Sequence, residues 1–298
     1  MKRTREVAPL PAPGEVGFVL TSDWHLRETA PVCRTDDFWN AQWKKVEFIA
    51  DLAEHYDCPV IHGGDLFHHW KPSPHLLAKA YETLPKDFWT VYGNHDLPQH
   101  SLELEDRSGI YMLKTAGRIK LLDGAHCRQD LSLENSIKGP DGRRVGVIHL
   151  GVWKGKSPWP GCTNPTSQQM LEDNPDFDLI VSGDFHTPVV DELDGRLLVN
   201  PGSITRQTAD QADFRPRVYL WLPQSNAAVP VYLPIEEGVV SRIHIAMTEE
   251  RDSRLEAFIS KLSEDWEVEM SFENNLRHFE QANNVHPSVM SIIQRAIE

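Results

Sequence analysis

Short apolar runs recur along this chain, each discharging into a polar cluster. Residues 16–20, 60–61, 88–92, 144–150 and 179–182 are rich in β-branched and aromatic side chains and too short for buried helices, so they read as buried strands. Residues 197–200 and 218–222 read as closing strands of the same core. Between the first two runs, Trp39, Trp43, Val46 and Ala50 recur at helical spacing, predicting a helix to about Tyr56 capped by Asp36 or Thr35. That spacing favours packing of the two tryptophans in a core or a dimer contact over stacking on nucleic acid. Ser73 followed by Pro74 predicts a second helix, to about Leu84, with a capping serine and proline at the first helical position. Strands alternating with helices imply a layered α/β fold whose ligand site lies off the carboxyl ends of the strands.

Pro223, Pro230 and Pro234 punctuate the chain beyond these strands and read as a boundary, with a core over 1–235 and a small domain over 236–298. In the small domain, residues 242–247 alternate like a strand, and Leu255, Phe258, Ile259 and Leu262 form a helical stripe. Residues 266–272 alternate again, and Val289, Ile292, Ile293 and Ala296 form a last stripe. Strand, helix, strand and helix in that order predict a small α/β cap.

Composition narrows the class. The 298 residues suffice for one large α/β domain and an appendage, and 40% hydrophobic with 25% charged residues is ordinary for a globular protein. The basic lead Lys2, Arg3 and Arg5 runs into Val7-Ala8-Pro9-Leu10-Pro11, which lacks the apolar core of a signal peptide, and no stretch reaches the length of a membrane span. Cys33, Cys58, Cys127 and Cys162 are scattered rather than paired, as expected of reduced thiols in a cytoplasm. The formal net charge of −14 argues against a chain that holds nucleic acid by a broad basic surface of its own. It leaves room for a nucleic-acid enzyme whose metals neutralise phosphate locally, with Lys154, Lys156 and Arg206 as the candidate basic groove.

The chemistry sits where strands end. Asp23 and His25, two apart, would share one face of an extended backbone and hold one metal together. Asp65 follows Gly63-Gly64, a pair that permits a sharp turn, and its two oxygens suit bridging of two cations. Asn94 offers a neutral carbonyl, the adjacent His95 is left to handle a proton, His149 closes the strand Val145-Gly-Val-Ile-His, and Asp184 and His186 close the last patch. Asp96 is placed to orient His95. Oxygen and imidazole donors arriving in this order are what two adjacent divalent metals need for attack on a phosphate ester. His55, His75, His100, His126 and His278 show no ligand spacing and read as surface residues.

These motifs resemble the calcineurin-like metallophosphoesterases, whose set is DxH, GD, GNH(D/E), H and GHxH. Gly63-Gly64-Asp65-Leu66-Phe67-His68, leading on to Lys71-Pro72-Ser73, is similar to the second motif of the Mre11 and SbcD nucleases. Gly93-Asn94-His95-Asp96-Leu97-Pro98 matches their third, and Asn200-Pro201-Gly202-Ser203 is likewise similar. The resemblance implies a four-layer α/β/β/α core with a C-terminal cap and two divalent metals, expected to be Mn²⁺ or else Mg²⁺. One would be held by Asp23, His25, Asp65 and His186, the other by Asp65, Asn94, His149 and whatever stands at 184. It further implies a DNA phosphodiesterase, with exonuclease action on duplex ends and endonuclease action on single strands or hairpins. His95 would serve the leaving oxygen and His68 exonuclease function. The protein would be a homodimer partnered by an SbcC/Rad50-like SMC ATPase, and the early end of the chain predicts that the longer segment gripping that ATPase is shortened or missing.

Asp184 stands where the family pattern has histidine. If it ligates, three carboxylates face two divalent cations, leaving a net charge of about +1 rather than +2 and favouring harder ions over Zn²⁺. Two alternatives stay open: another phosphoesterase of the superfamily, acting on cyclic nucleotides, nucleotides or phosphoproteins, or a binding subunit whose second metal site Asp184 has weakened.

Overall fold

The computed structural model describes residues 10–126, 131, 136–264, 272–283 and 285–297. Contacts gather the chain into two compact units, Met1–Ser241 and Arg242–Glu298. In the first unit β1 (Phe18–Thr21), β2 (Val60–His62), β3 (Phe88–Tyr92) and β4 (Lys120–His126) run parallel. Antiparallel β10 (Arg217–Leu222) and β11 (Ala227–Tyr232) extend that sheet in the order β11-β10-β1-β2-β3-β4. The second sheet has β5 (Ser136–Lys138), β6 (Arg144–Ile148), β7 (Leu179–Ser182), β9 (Arg196–Asn200) and β8 (Val189–Leu193), in that order.

Strand periodicity places the core. Alternate residues point to opposite faces, so Phe18, Leu20, Ile61 and Val91 meet Val145, Val147, Val181 and Val199 between the sheets. Their intervening neighbours Val19, Val60 and Tyr92 pack outward under α1 (Phe38–Tyr56), α2 (Pro74–Thr83) and α3 (Gly109–Thr115). Ile148, Ile180 and Leu198 pack outward under α4 (Ser167–Asp173). The result is the expected four layers, helix, sheet, sheet, helix. Each fully buried valine or isoleucine in this stack contributes roughly 1.5–3 kcal/mol of apolar transfer.

α1 is capped by Asp37, whose carboxylate accepts the Asn40 N–H at 3.1 Å, rather than by Asp36 or Thr35. Asp36 is engaged instead by the Arg34 guanidinium. α2 starts as expected, with the Ser73 hydroxyl accepting from Leu76 N–H and proline in its first turn. Trp43 is buried in the helix-side core and Trp39 packs against it edge to face, 5.5 Å between centroids. Pro230 lies inside β11 rather than in a linker. β11 is an edge strand, where a missing N–H costs least.

The second unit departs from expectation. Residues 242–247 are not a strand: α5 spans Ile243–Glu264. Ile243, Ile245 and Met247, the apolar members of the alternation, are all exposed, so the pattern marks no buried face. The run continues into residues of high helix propensity, and cooperative helix growth absorbs it. α6 (Phe272–Asn283) and α7 (Pro287–Ile297) follow, the last matching the final apolar stripe. The second expected strand, 266–272, lies outside the described residues except for Phe272, which opens α6, and the basic lead at 1–6 and Cys127 also lie outside them. Among the described residues this unit is helical. No described helix is long and apolar enough to cross a membrane, and Cys33, Cys58 and Cys162 are free thiols.

Candidate metal centre

The carboxyl ends of β1, β2 and β3 in one sheet and of β6 and β7 in the other open toward one place. Trp24 is fully buried, donates its indole N–H to Thr21 Oγ1 at 2.7 Å and packs edge-on against Phe88 and His62. It anchors the turn that carries Asp23 and His25. That turn is not extended backbone. Asp23 (φ 52°), His25 (φ 46°), Asp65 (φ 58°) and Asp184 (φ 79°) all occupy the left-handed region, which costs of order 1–3 kcal/mol for a non-glycine residue and concentrates at functional sites. Backbone bonds hold the shape: Asp23 N–H donates to Gly64 O and His25 N–H to Asp65 O, both at 3.0 Å. Gly64 (φ +95°) is required here, because a Cβ would lie 2.5 Å from His149 Nδ1.

A pair of imidazoles lies on one side of Asp65 and a single imidazole on the other. On one side His25 Nε2 and His186 Nε2 are 3.0 Å apart, with Asp23 Oδ1 4.0 Å from the former. On the other, His149 Nε2 lies 2.9 Å from Asn94 Oδ1 and 3.8 Å from Asp184 Oδ1. Asp65 Oδ2 is 3.4 Å from both His25 Nε2 and His149 Nε2, whereas Oδ1 accepts the His95 backbone N–H at 2.9 Å. One carboxylate oxygen, rather than both, is therefore the atom common to the two sides.

The donor inventory tests whether cations fit. His149 Nδ1 faces the Gly63 carbonyl at 2.7 Å, and a carbonyl only accepts, so Nδ1 carries a proton and Nε2 is the ring atom turned toward Asn94 Oδ1 and Asp65. Asp23 Oδ2 and His25 Nδ1 are buried without a hydrogen-bond partner. Two buried carboxylates set among imidazoles, with Asp23 Oδ2 left unpartnered, call for positive charge. The same demand appears in the titration of the groups. Burial disfavours the charged form of His149, but Asp65, Asp23 and Asp184 hold its pKa up at about 10. Burial pushes the Asp65 carboxyl up, and His149, His25 and His95 together draw it well below the usual carboxylate range. Burial drives His25 down and Asp23 up. Imidazole and carboxylate in this mixture suit divalent cations of the first transition row, and Asp23, His25, His186, Asp65 and His149 fall into compact ligand groups.

Asp184 belongs to the centre but sits at its rim. Its N–H donates to Asp23 Oδ1 at 3.0 Å, and its side chain is 38% exposed, against 0–4% for Asp23, His25, Asp65 and His149.

His95 is oriented differently from expectation. Asp96 does not touch its ring; the Asp96 carboxylate accepts backbone N–H groups of Leu66, Phe67 and Gly93 at 3.0–3.2 Å and so ties the second motif to the third. Burial and Asp65 raise Asp96 to about 7. The ring of His95 is set by Nδ1–H donating to the His68 carbonyl at 2.8 Å, which directs Nε2 elsewhere. His68 stacks on His95 with 5.4 Å between centroids, and burial lowers it to about 4, so it is neutral near pH 7.

His100 is exposed, yet its Nδ1 lies 2.8 Å from the Asn94 carbonyl and steadies that loop. His62, passed over in the sequence, is fully buried, and burial lowers it to about 3. Strand parity could have placed it: it follows Ile61 of the inter-sheet face and so points to the helix side. Of the three basic residues offered for a groove, Arg206 is buried and donates to the Ala212 and Glu236 carbonyls, and Lys154 pairs with Asp191 at 2.7 Å.

Two stacked sheets with aspartate, asparagine and histidine brought together at their strand ends define a metallophosphoesterase. Residues 17–216 match the family described as the calcineurin-like phosphoesterase superfamily domain, and the chain belongs to that superfamily. The chain is similar to the DNA double-strand break repair protein Mre11 of Haloferax volcanii, 28% identical over 219 residues, covering 67% of this chain and 48% of that protein. It is also similar to the Mre11 of Archaeoglobus fulgidus, 24% identical over 220 residues, covering 58% of this chain and 48% of the relative. The chain thus spans about half the length of these curated relatives. A solved archaeal phosphodiesterase is 16% identical, with 72% of this chain and 99% of that one covered and a TM-score of 0.44.

Proposed function

We propose that this chain is a two-metal DNA phosphodiesterase of Mre11/SbcD type, acting on duplex ends and on single-stranded or hairpin DNA. The observation that carries the reading is Asp65 Oδ2 placed 3.4 Å from Nε2 of both His25 and His149, a shared anion between two imidazole-bearing pockets. Asp23, His25, His186 and Asp65 would hold one divalent cation and Asp65, Asn94, His149 and Asp184 the other, Mn²⁺ or Mg²⁺ by donor hardness. Such cations supply Lewis acidity and lower the pKa of water.

The remaining work falls to the protein. With Nδ1–H committed to the His68 carbonyl, the free Nε2 of His95 meets the phosphate and, when protonated, delivers a proton to the departing 3′ oxygen. His68 holds that orientation through its carbonyl and ring. Similarity to proteins named for DNA double-strand break repair supports DNA as substrate; a homodimer and an SMC-type ATPase of the SbcC/Rad50 kind as partner complete the proposal.

End-labelled linear duplex with Mn²⁺ tests the reading. The wild type should shorten it, and His95→Asn, which keeps a polar side chain but cannot act as an acid, should lose 10²-fold or more in rate. Hydrolysis of cyclic nucleotides with no action on DNA would move the substrate elsewhere in the superfamily. Absence of any cleavage together with retained DNA or partner binding would make the chain a scaffold.

A further inference from the structure

Beside the metal centre lies a groove of about 420 Å³, within the range of small-molecule sites, roughly 300–1,000 Å³. Trp153, Lys156 and Trp159 line it from the loop after β6, and Phe185, His186 and Val189 from the segment after β7. Trp159 is 49% exposed and meets Phe185 edge-on, 5.5 Å between centroids. An edge-on pair leaves aromatic face uncovered, open to a planar group that stacks on it.

The loop is braced rather than slack. The Trp153 indole N–H donates to Asn164 O and Asn164 Nδ2 to Gly151 O, both at 2.9 Å; Ser167 N–H donates to Trp153 O at 2.9 Å; and Lys154 pairs with Asp191. The opposite wall is equally set. Asn200 Nδ2 donates to Phe185 O at 2.9 Å, and Phe185 lies so close to Gly151 that a Cβ there would stand 2.4 Å from its ring. Phe185 is rooted between Asp184 and His186, consecutive Cα atoms being about 3.8 Å apart.

We propose that this groove is a nucleobase subsite. The base of a nucleotide, or of an unpaired strand end, stacks on Trp159 against Phe185, and Lys156 receives its backbone phosphate. The adjoining phosphate then lies over the Asp184–His186 edge of the metal centre. Stacking on aromatic faces accepts any base, so the subsite selects unpaired nucleotides without reading sequence. The inference rests on the phosphodiesterase reading and names the substrate element that the site grips.

The test compares thymidine 5′-(p-nitrophenyl phosphate) with methyl p-nitrophenyl phosphate, which has the same leaving group and no base, using the full chain with Mn²⁺. Trp159→Ala should lower kcat/KM on the nucleotide about tenfold, chiefly through KM. It should leave the methyl ester unchanged, while Trp159→Phe keeps most of the nucleotide rate. Equal loss on both esters, or no loss on either, overturns the subsite. If the wild type cleaves neither ester and does not shorten linear duplex, the phosphodiesterase reading fails by itself. Binding then decides the subsite: thymidine 5′-monophosphate, but not deoxyribose 5-phosphate, should quench tryptophan fluorescence in the wild type and not in Trp159→Ala. Equal quenching in both proteins overturns it.

Discussion

On the two-metal reading, Asp184 would set the balance between the two halves of the centre. It stands where the family pattern has histidine, 3.8 Å from His149 Nε2, and is far more exposed than the residues around Asp65. Water competes at that rim, so the half containing His149 and Asn94 should bind its ion more weakly. A calorimetric Mn²⁺ titration should resolve one tighter and one weaker site, and Asp184→His should strengthen the weaker one for Zn²⁺ more than for Mn²⁺. Two equally tight sites in the wild type would contradict this assignment. At this scale residue types were readable from the motifs, but their atoms were not. The spacing of Asp23 and His25 suggested an extended strand end, yet a left-handed turn positions them. Adjacency suggested that Asp96 orients His95, yet a carbonyl three residues past Asp65 does so. Neighbours in sequence rarely face each other once a loop turns, so contact had to come from the fold.

Among the elements, those with strong local signals were legible. α2 begins at Ser73 and Pro74 because a side-chain oxygen and a fixed φ satisfy its first turn without help. Ser73→Ala should therefore cost about 1 kcal/mol in a denaturant melt, and Ser73→Asp should recover most of it. An unchanged midpoint for Ser73→Ala would show that packing of Leu76 and Ala80 alone holds the helix end. The short helices α3 and α4, seven residues each, escaped the sequence because two turns carry too little periodicity. Strands β5, β8 and β11 escaped because they lie at sheet edges, where polar residues and proline replace the apolar run. Residues 242–247 misled in the opposite sense, since alternation over so few positions is also compatible with an exposed helix turn.

For the whole molecule, the centre draws ligands from both sheets, β1 to β3 on one side and β6 and β7 on the other. On the two-metal reading, cations held there would clamp the two layers together. At an Mn²⁺ concentration about 100 times the dissociation constant, each site should add about 2.7 kcal/mol of stability. The melting temperature should rise by several degrees over protein in chelator. Asp65→Asn should abolish most of that rise because both halves share its Oδ2. A rise of the same size in that variant would remove Asp65 from the shared position.

The sequence by itself determined the layered α/β class, the order of the strands that carry the motifs and the residue types at their ends, because strand periodicity and turn chemistry are local. Only the tertiary structure decided which atoms meet. The shared oxygen of Asp65, the opposed imidazoles, the carbonyl that aims His95 and the aromatic groove beside Asp184 all join residues from separate loops. Their distances follow from how two sheets pack, and no local signal encodes that.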